Sequence, residues 1–132
     1  MPVSIKFETH LEQLNLSTEK LLEIVIEGLK NNKAKSIHVL NLKKLENAVS
    51  EYFVICHGTS RTHVSSTAQS VEKEVKTVLG EYPWKKEGYT NGEWVLVDFS
   101  SIVVHVFQKE ARNFYNIEEL WADAEITILE DE

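Results

Sequence analysis

Residues 94–107 read WVLVDFSSIVVHVF, and this stretch leaves the chain few ways to fold. Two runs rich in β-branched and aromatic residues flank Ser100-Ser101, the pattern of two antiparallel strands joined by a tight turn. With the turn at the serines, Phe99 opposes Ile102, Val97 opposes Val104 and Val95 opposes Val106, because residues of one parity share a face across an antiparallel pair. That face is wholly apolar and is expected under helices. The other face sets Trp94, Leu96 and Asp98 against Phe107, His105 and Val103. A carboxylate and an imidazole thus share one surface with a large aromatic pair. Two readings of that surface stand. Either the last segment of the chain covers it, with Asp98 receiving turn amides and His105 satisfied inside, or it is a platform of the kind found at interface centres, where Trp and Tyr supply most of the energy.

The rest of the chain supplies the helices and the other strands. STEKLLEIVIEGLKNNK puts Leu21, Leu22, Val25 and Leu29 on one stripe, which predicts a helix capped by Ser17 or Thr18 and ended at Asn31-Asn32. SIHVLNL (36–42) and EYFVICHG (51–58) suit strands, joined by the polar connection KKLENAVS. Thr59 and Ser60 offer N-caps to a run in which Val64, Ala68, Val71, Val75 and Val78 recur at spacings of four and three until Gly80. YPWKKEGYTNGEW holds a short edge strand, restricted by Pro83, and an Asn91-Gly92 turn. EARNFYNIEELWADA predicts one or two helical turns around Ala111 to Tyr115, then a segment anchored by Leu120 and Trp121. This order implies one α/β domain, a mixed sheet of about five strands with helices packed on it, and 132 residues are enough for one such core.

Charge is unevenly placed. Residues 108–132 hold eight acids against Lys109 and Arg112, so this quarter carries -6 of the net -7. Such a field repels phosphate backbones and attracts basic surfaces, which disfavours direct nucleic-acid binding and points to a cationic protein partner. A plain solubilising tail is the alternative. The single cysteine, Cys56, excludes an internal disulfide and suits a reducing compartment. Met1 to Leu16 lacks the basic start and apolar run of a secretion signal, and no later segment suits a bilayer span. A soluble intracellular protein is expected, in a bacterial cytoplasm or else an organelle matrix.

Chemistry finds little support. Gly58-Thr59-Ser60 after a strand is similar to the Gly-Ser start of a nucleotidyltransferase site, but metal-dependent transfer needs closely spaced carboxylates on a following strand, and Tyr82 to Gly88 offers only Glu87. Thr59 and Ser60 are read as helix caps. Cys56 and His57 leave opposite strand faces and His63 lies a helical turn on, so no three or four metal ligands converge. Asp98 and His105 are diagonal neighbours with no Ser or Cys on their face, so no nucleophile with its base can be named. No enzyme activity, cofactor or metal is expected.

EYFVICHGTSRTHV followed by WVLVDFSSIVVHVFQKEARNFYNIEELWADA resembles the ribosomal silencing factor family, also called Iojap-like proteins. The resemblance runs from about Leu21 to Ala124 and includes KAKSIHVLNL. It sets the domain at 17–124, with residues 1–16 as an N-terminal extension and 125–132 as an acidic C-terminal tail. It implies a sheet fold related to nucleotidyltransferases without their activity. It further implies binding to the large ribosomal subunit through its ribosomal protein number fourteen, a basic protein, which blocks joining of the small subunit and lowers translation when nutrients are scarce; a link with large-subunit maturation in organelles is also implied. Trp94, Leu96, Asp98, His105, Phe107, Tyr115 and Trp121 match the family's motif positions and are the expected partner-binding residues. A self-associating module, pairing two free copies across the Trp94 face as a homodimer, is the remaining class.

Overall fold

The structure is a computed structural model describing residues 2–131. Met1 and Glu132, the outermost residues of the two expected terminal segments, lie outside the described residues. Helix α1 (Pro2–Asn31) leads into strands β1 (Lys35–Asn41) and β2 (Tyr52–Gly58), then helix α2 (Arg61–Leu79). Strands β3 (Lys85–Glu87), β4 (Trp94–Asp98) and β5 (Ile102–Gln108) follow, then the short helices α3 (Lys109–Tyr115) and α4 (Ile117–Leu120) and strand β6 (Glu125–Ile128). The strands form one sheet in the order β3-β4-β5-β2-β1-β6. β2 and β5 run parallel, joined through α2, and every other pair is antiparallel, so the sheet is mixed.

The hairpin forms in the expected register, with Val95 opposite Val106 and Val97 opposite Val104. These residues, with Val54 and Cys56 of β2, meet Leu21, Val25 and Leu29 of α1 and Val64, Ala68, Val71 and Val75 of α2 in one core. α2 starts and stops where local chemistry directs. The Ser60 side chain accepts from the His63 backbone N–H, and Gly80 ends the helix at φ 67, a left-handed conformation that glycine adopts without strain.

Two boundaries differ from the sequence reading. α1 does not begin at Ser17 or Thr18; both lie inside a 30-residue helix. The Thr18 hydroxyl donates instead to the Glu51 carboxylate at 2.9 Å. Pro2 occupies the first helical position, where its missing N–H costs nothing, and no Gly or further Pro interrupts residues 3–27. At the other end, Glu125–Ile128, read as part of an acidic tail, forms the sixth strand, with Ile128 opposite His38 and Ile126 opposite Leu40. Four residues between acids give too weak an alternation to declare a strand.

The two long helices cross closely at Gly28. A Cβ there would stand 2.8 Å from the Val71 Cα, closer than real side chains approach backbone. The Ser70 hydroxyl donates to the Gly28 carbonyl at 2.7 Å across the same crossing. Gly28→Val should therefore force α1 off α2 and lower unfolding free energy by roughly 1–3 kcal/mol, the usual cost of overpacking. Urea denaturation of the two proteins checks this; an unchanged midpoint would show that the crossing has slack.

Candidate functional site

The second face of the sheet is built by parity. β4 contributes Trp94, Leu96 and Asp98, which pair with Phe107, His105 and Val103 of β5. Register with β2 adds Phe53, Ile55 and His57 opposite Val103, His105 and Phe107. β1 adds His38 and Leu40 beside Ile55 and Phe53. No long helix packs here. After β5 the chain folds back as α3 and α4, and this short segment lies over part of the face.

Aromatic contacts and one polar cluster seat that cover. Trp94 stacks on Phe107 with ring centroids 4.8 Å apart and meets Tyr115 of α3 at 4.9 Å. Phe53 meets His105 edge-on at 4.8 Å and Trp121 at 5.6 Å. Arg112 donates to Glu118 from Nε and from its terminal nitrogen, at 2.8 and 2.5 Å. It also donates to the Ser36 carbonyl at 2.8 Å and to Nδ1 of His57 at 3.0 Å. The other Glu118 oxygen lies 3.3 Å from His38. One guanidinium thus ties α3 and α4 to β1 and β2, using the planar fork that lysine lacks. Burial, followed by the neighbouring Arg112 charge, holds His57 below the usual imidazole range, so it stays the neutral acceptor this arrangement needs.

The structure sorts the seven sequence-predicted residues. Trp94, His105, Phe107 and Tyr115 share ring contacts, and Trp121 joins them through Phe53. Trp94, Leu96, Asp98 and Trp121 are half-buried, and Tyr115 is exposed. Phe107 and His105 are covered, so neither presents a free surface, and each acts on a partner only through what lies over it. Asp98 also serves the hairpin itself, since its carboxylate accepts the Ser100 N–H at 2.7 Å and holds a turn in which Ser100 adopts φ 75. Phe53, Arg112 and Glu118 were missed. For Phe53 a signal existed, since Phe53, Ile55 and His57 alternate along β2 and so share one face. Phe114, Leu120, Ile126 and Ile128 are also exposed apolar residues.

The polar groups that the sequence offered for chemistry are used in the fold. Gly58 ends β2, and Thr59 and Ser60 are absorbed by the start of α2, where the Thr59 N–H donates to Nδ1 of His63 and Ser60 is the cap. Burial pushes the Cys56 thiol up to about 12, which leaves it unreactive at neutral pH. No cluster of three or more His, Cys, Asp or Glu that could hold a metal occurs among the described residues.

Residues 15–132 match the family model described as ribosomal silencing factor during starvation. The chain belongs to the ribosomal silencing factor family. A ribosomal silencing factor from Halalkalibacterium halodurans is 36% identical over 115 residues, 87% of this chain and 97% of the relative. One from Bacillus subtilis is 35% identical over 115 residues, covering 87% of this chain and 96% of the relative. A mouse protein named mitochondrial assembly of ribosomal large subunit protein 1 is 31% identical over 76% of this chain and 44% of its own length. Among solved structures, a crystal structure of a Chromobacterium violaceum protein superposes with a TM-score of 0.74 at 34% identity, covering 79% of this chain and 85% of that one. The hairpin, the α3 segment and β6 all lie inside the stretch matched by the ribosomal silencing factor model.

His105 makes a measurable electrostatic signature at this face. It is buried among aromatic rings, which pushes its pKa down from 6.5 to about 4. The unfolded chain therefore binds a proton that the folded chain refuses, and stability must fall as pH drops below about 6.5. Between pH 7 and pH 5 this residue alone should account for about 2 kcal/mol. Urea unfolding across that range should show the loss, and His105→Phe should flatten it, leaving the share that His57 contributes in the same sense; an identical slope in the variant would contradict the assignment.

Proposed function

We propose that this protein binds the large ribosomal subunit through ribosomal protein number fourteen, using the open face of its sheet, and so keeps the small subunit from joining. Trp94, Leu96 and Asp98 lie in one row on β4, each half-buried, with Tyr115 exposed beside them. The single observation that carries this reading is that row, left open on a sheet whose central strands are packed on the other face under two long helices. Interfaces concentrate their energy in a few aromatic or charged anchors surrounded by weaker contacts, and the row offers one large aromatic, one aliphatic and one carboxylate. Asp98 retains an oxygen beyond the one accepting the Ser100 amide, which can meet a partner's Lys or Arg. The acids of residues 108–132 give this part of the chain a negative field that would attract a basic protein.

Repression is steric on this account, without nucleotide, metal or covalent chemistry, and it operates in a bacterial cytoplasm or an organelle matrix. The family's description as acting during starvation supports use under nutrient limitation, and the mouse relative's name supports a further role in large-subunit assembly.

Titrating the protein into purified large and small subunits should reduce joined ribosomes in sedimentation profiles. Trp94→Ala and Asp98→Asn should each weaken binding to isolated large subunits at least tenfold, about 1.4 kcal/mol, at a temperature where both variants remain folded, with little change in melting temperature for Asp98→Asn. Val97→Ala, on the roofed face, should instead destabilise the fold by roughly 1–3 kcal/mol and leave binding intact. Undiminished joining at saturating occupancy contradicts the steric mechanism. Trp94-dependent dimers that persist in the presence of large subunits would favour self-association as the use of this face.

A further inference from the structure

His105 carries a polar group that the fold does not satisfy. The indole N–H of Trp94 lies 3.1 Å from Nδ1 of His105. An indole N–H can only donate, so Nδ1 accepts and the neutral ring keeps its proton on Nε2. That Nε2 is buried without a hydrogen-bond partner, and the residue is only 5% exposed. An unpaired buried donor destabilises a protein. Around it stand Phe53, Phe107 and Trp94 in ring contact, and Leu96 and Ile55 as cross-strand neighbours. Such surroundings would accept a leucine or phenylalanine at no polar cost. A histidine here worsens packing chemistry on one side of its ring and provides one thing on the other, a fixed acceptor for Trp94.

We propose that His105 is a positioning residue for the docking face: its Nδ1 holds the half-buried Trp94 indole in the orientation that a partner meets. Phe107 supplies the floor on which the indole stacks, Tyr115 borders it, and the hydrogen bond sets its rotation on that floor. Without the bond the indole can swing about χ1 and χ2, and ordering it again on binding costs affinity. This inference rests on the reading of Trp94 as a docking anchor and adds to it the residue that presents the anchor.

The test uses the full-length protein with His105→Leu and His105→Phe, both of which remove the acceptor and the unpaired donor together. Stability and binding should move in opposite senses. Melting temperature should stay level or rise, while binding to isolated large subunits weakens at least fivefold. In nitrogen-proton correlation spectra the Trp94 indole signal, identified by its loss in Trp94→Phe, should shift and exchange faster with solvent in both variants, with the Trp84 and Trp121 signals unmoved. The double variant His105→Leu with Trp94→Phe should bind no more weakly than Trp94→Phe alone, because both changes remove one device. Additive losses, wild-type binding by the His105 variants, or an unmoved Trp94 indole signal would each overturn the proposal. If Trp94→Phe weakens binding and the His105 variants do not, only the positioning role falls. If Trp94→Phe also binds as wild type, the docking reading falls with it. Should His105→Leu fail to fold, His105→Phe carries the same comparisons.

Discussion

Burial of β5 on both faces is the constraint around which this structure is arranged. From Ile102 to Phe107 six consecutive side chains are buried. A strand alternates its side chains, so a buried run of this kind demands cover above and below. Val104 and Val106 receive it from α1 and α2, whose crossing is close enough at Gly28 to exclude a side chain. Each such side chain contributes about 1.5–3 kcal/mol by leaving water, so the roofed face carries the main apolar stabilisation. β2 and β4 flank β5 because they match its register, one parallel through α2 and the other through the serine turn.

Cover on the other side is of a different kind. α3 and α4 bury no residue of their own. They are seated by the Arg112 guanidinium, by Tyr115 and Trp121 at the aromatic row, and by Ala111 and Ile117 packed against the Leu40, Ile55 and Phe107 cluster. Arg112 is one-tenth exposed and Glu118 one-quarter, so the pair is shielded enough to matter and still wet enough to be formed without a large desolvation cost. The result is a face closed over Phe107 and His105 but open along β4. Phe114 is 82% exposed and Leu120 77% exposed on the covering segment. Apolar surface gathered beside an open aromatic row is what a protein keeps when a partner completes the burial.

What the sequence revealed and what it hid follow one rule: signals that are local or strictly periodic could be read. The hairpin parity was legible because period two leaves one register once the turn is placed. Ser60 and Gly80 were legible because capping depends on a few adjacent atoms. The start of α1 was not, since Ser17 and Thr18 look like caps from sequence while the Thr18 hydroxyl is in fact used by Glu51, 33 positions away. β6 was hidden because its pairing with β1 spans most of the chain. The motif residues were found together, but sorting them by exposure required the cover to be seen in place. Arg112 reaching Ser36 across 76 positions, and the Trp94 indole resting on His105, are contacts between side chains whose meeting no spacing announces.

Hydroxyl-radical footprinting of the protein, free and bound to isolated large subunits, tests the docking face most directly because the chain carries its own control. Trp84 is 71% exposed and Tyr82 68% exposed beside β3, at the edge of the sheet, whereas Trp94, Leu96, Tyr115 and Trp121 mark the open face. Binding should protect Trp94, Leu96 and Tyr115 from oxidation and leave Tyr82 and Trp84 as reactive as in the free protein. Protection of Tyr82 and Trp84 with Trp94 unchanged would place the partner at the β3 edge of the sheet, off the open face, and contradict the account.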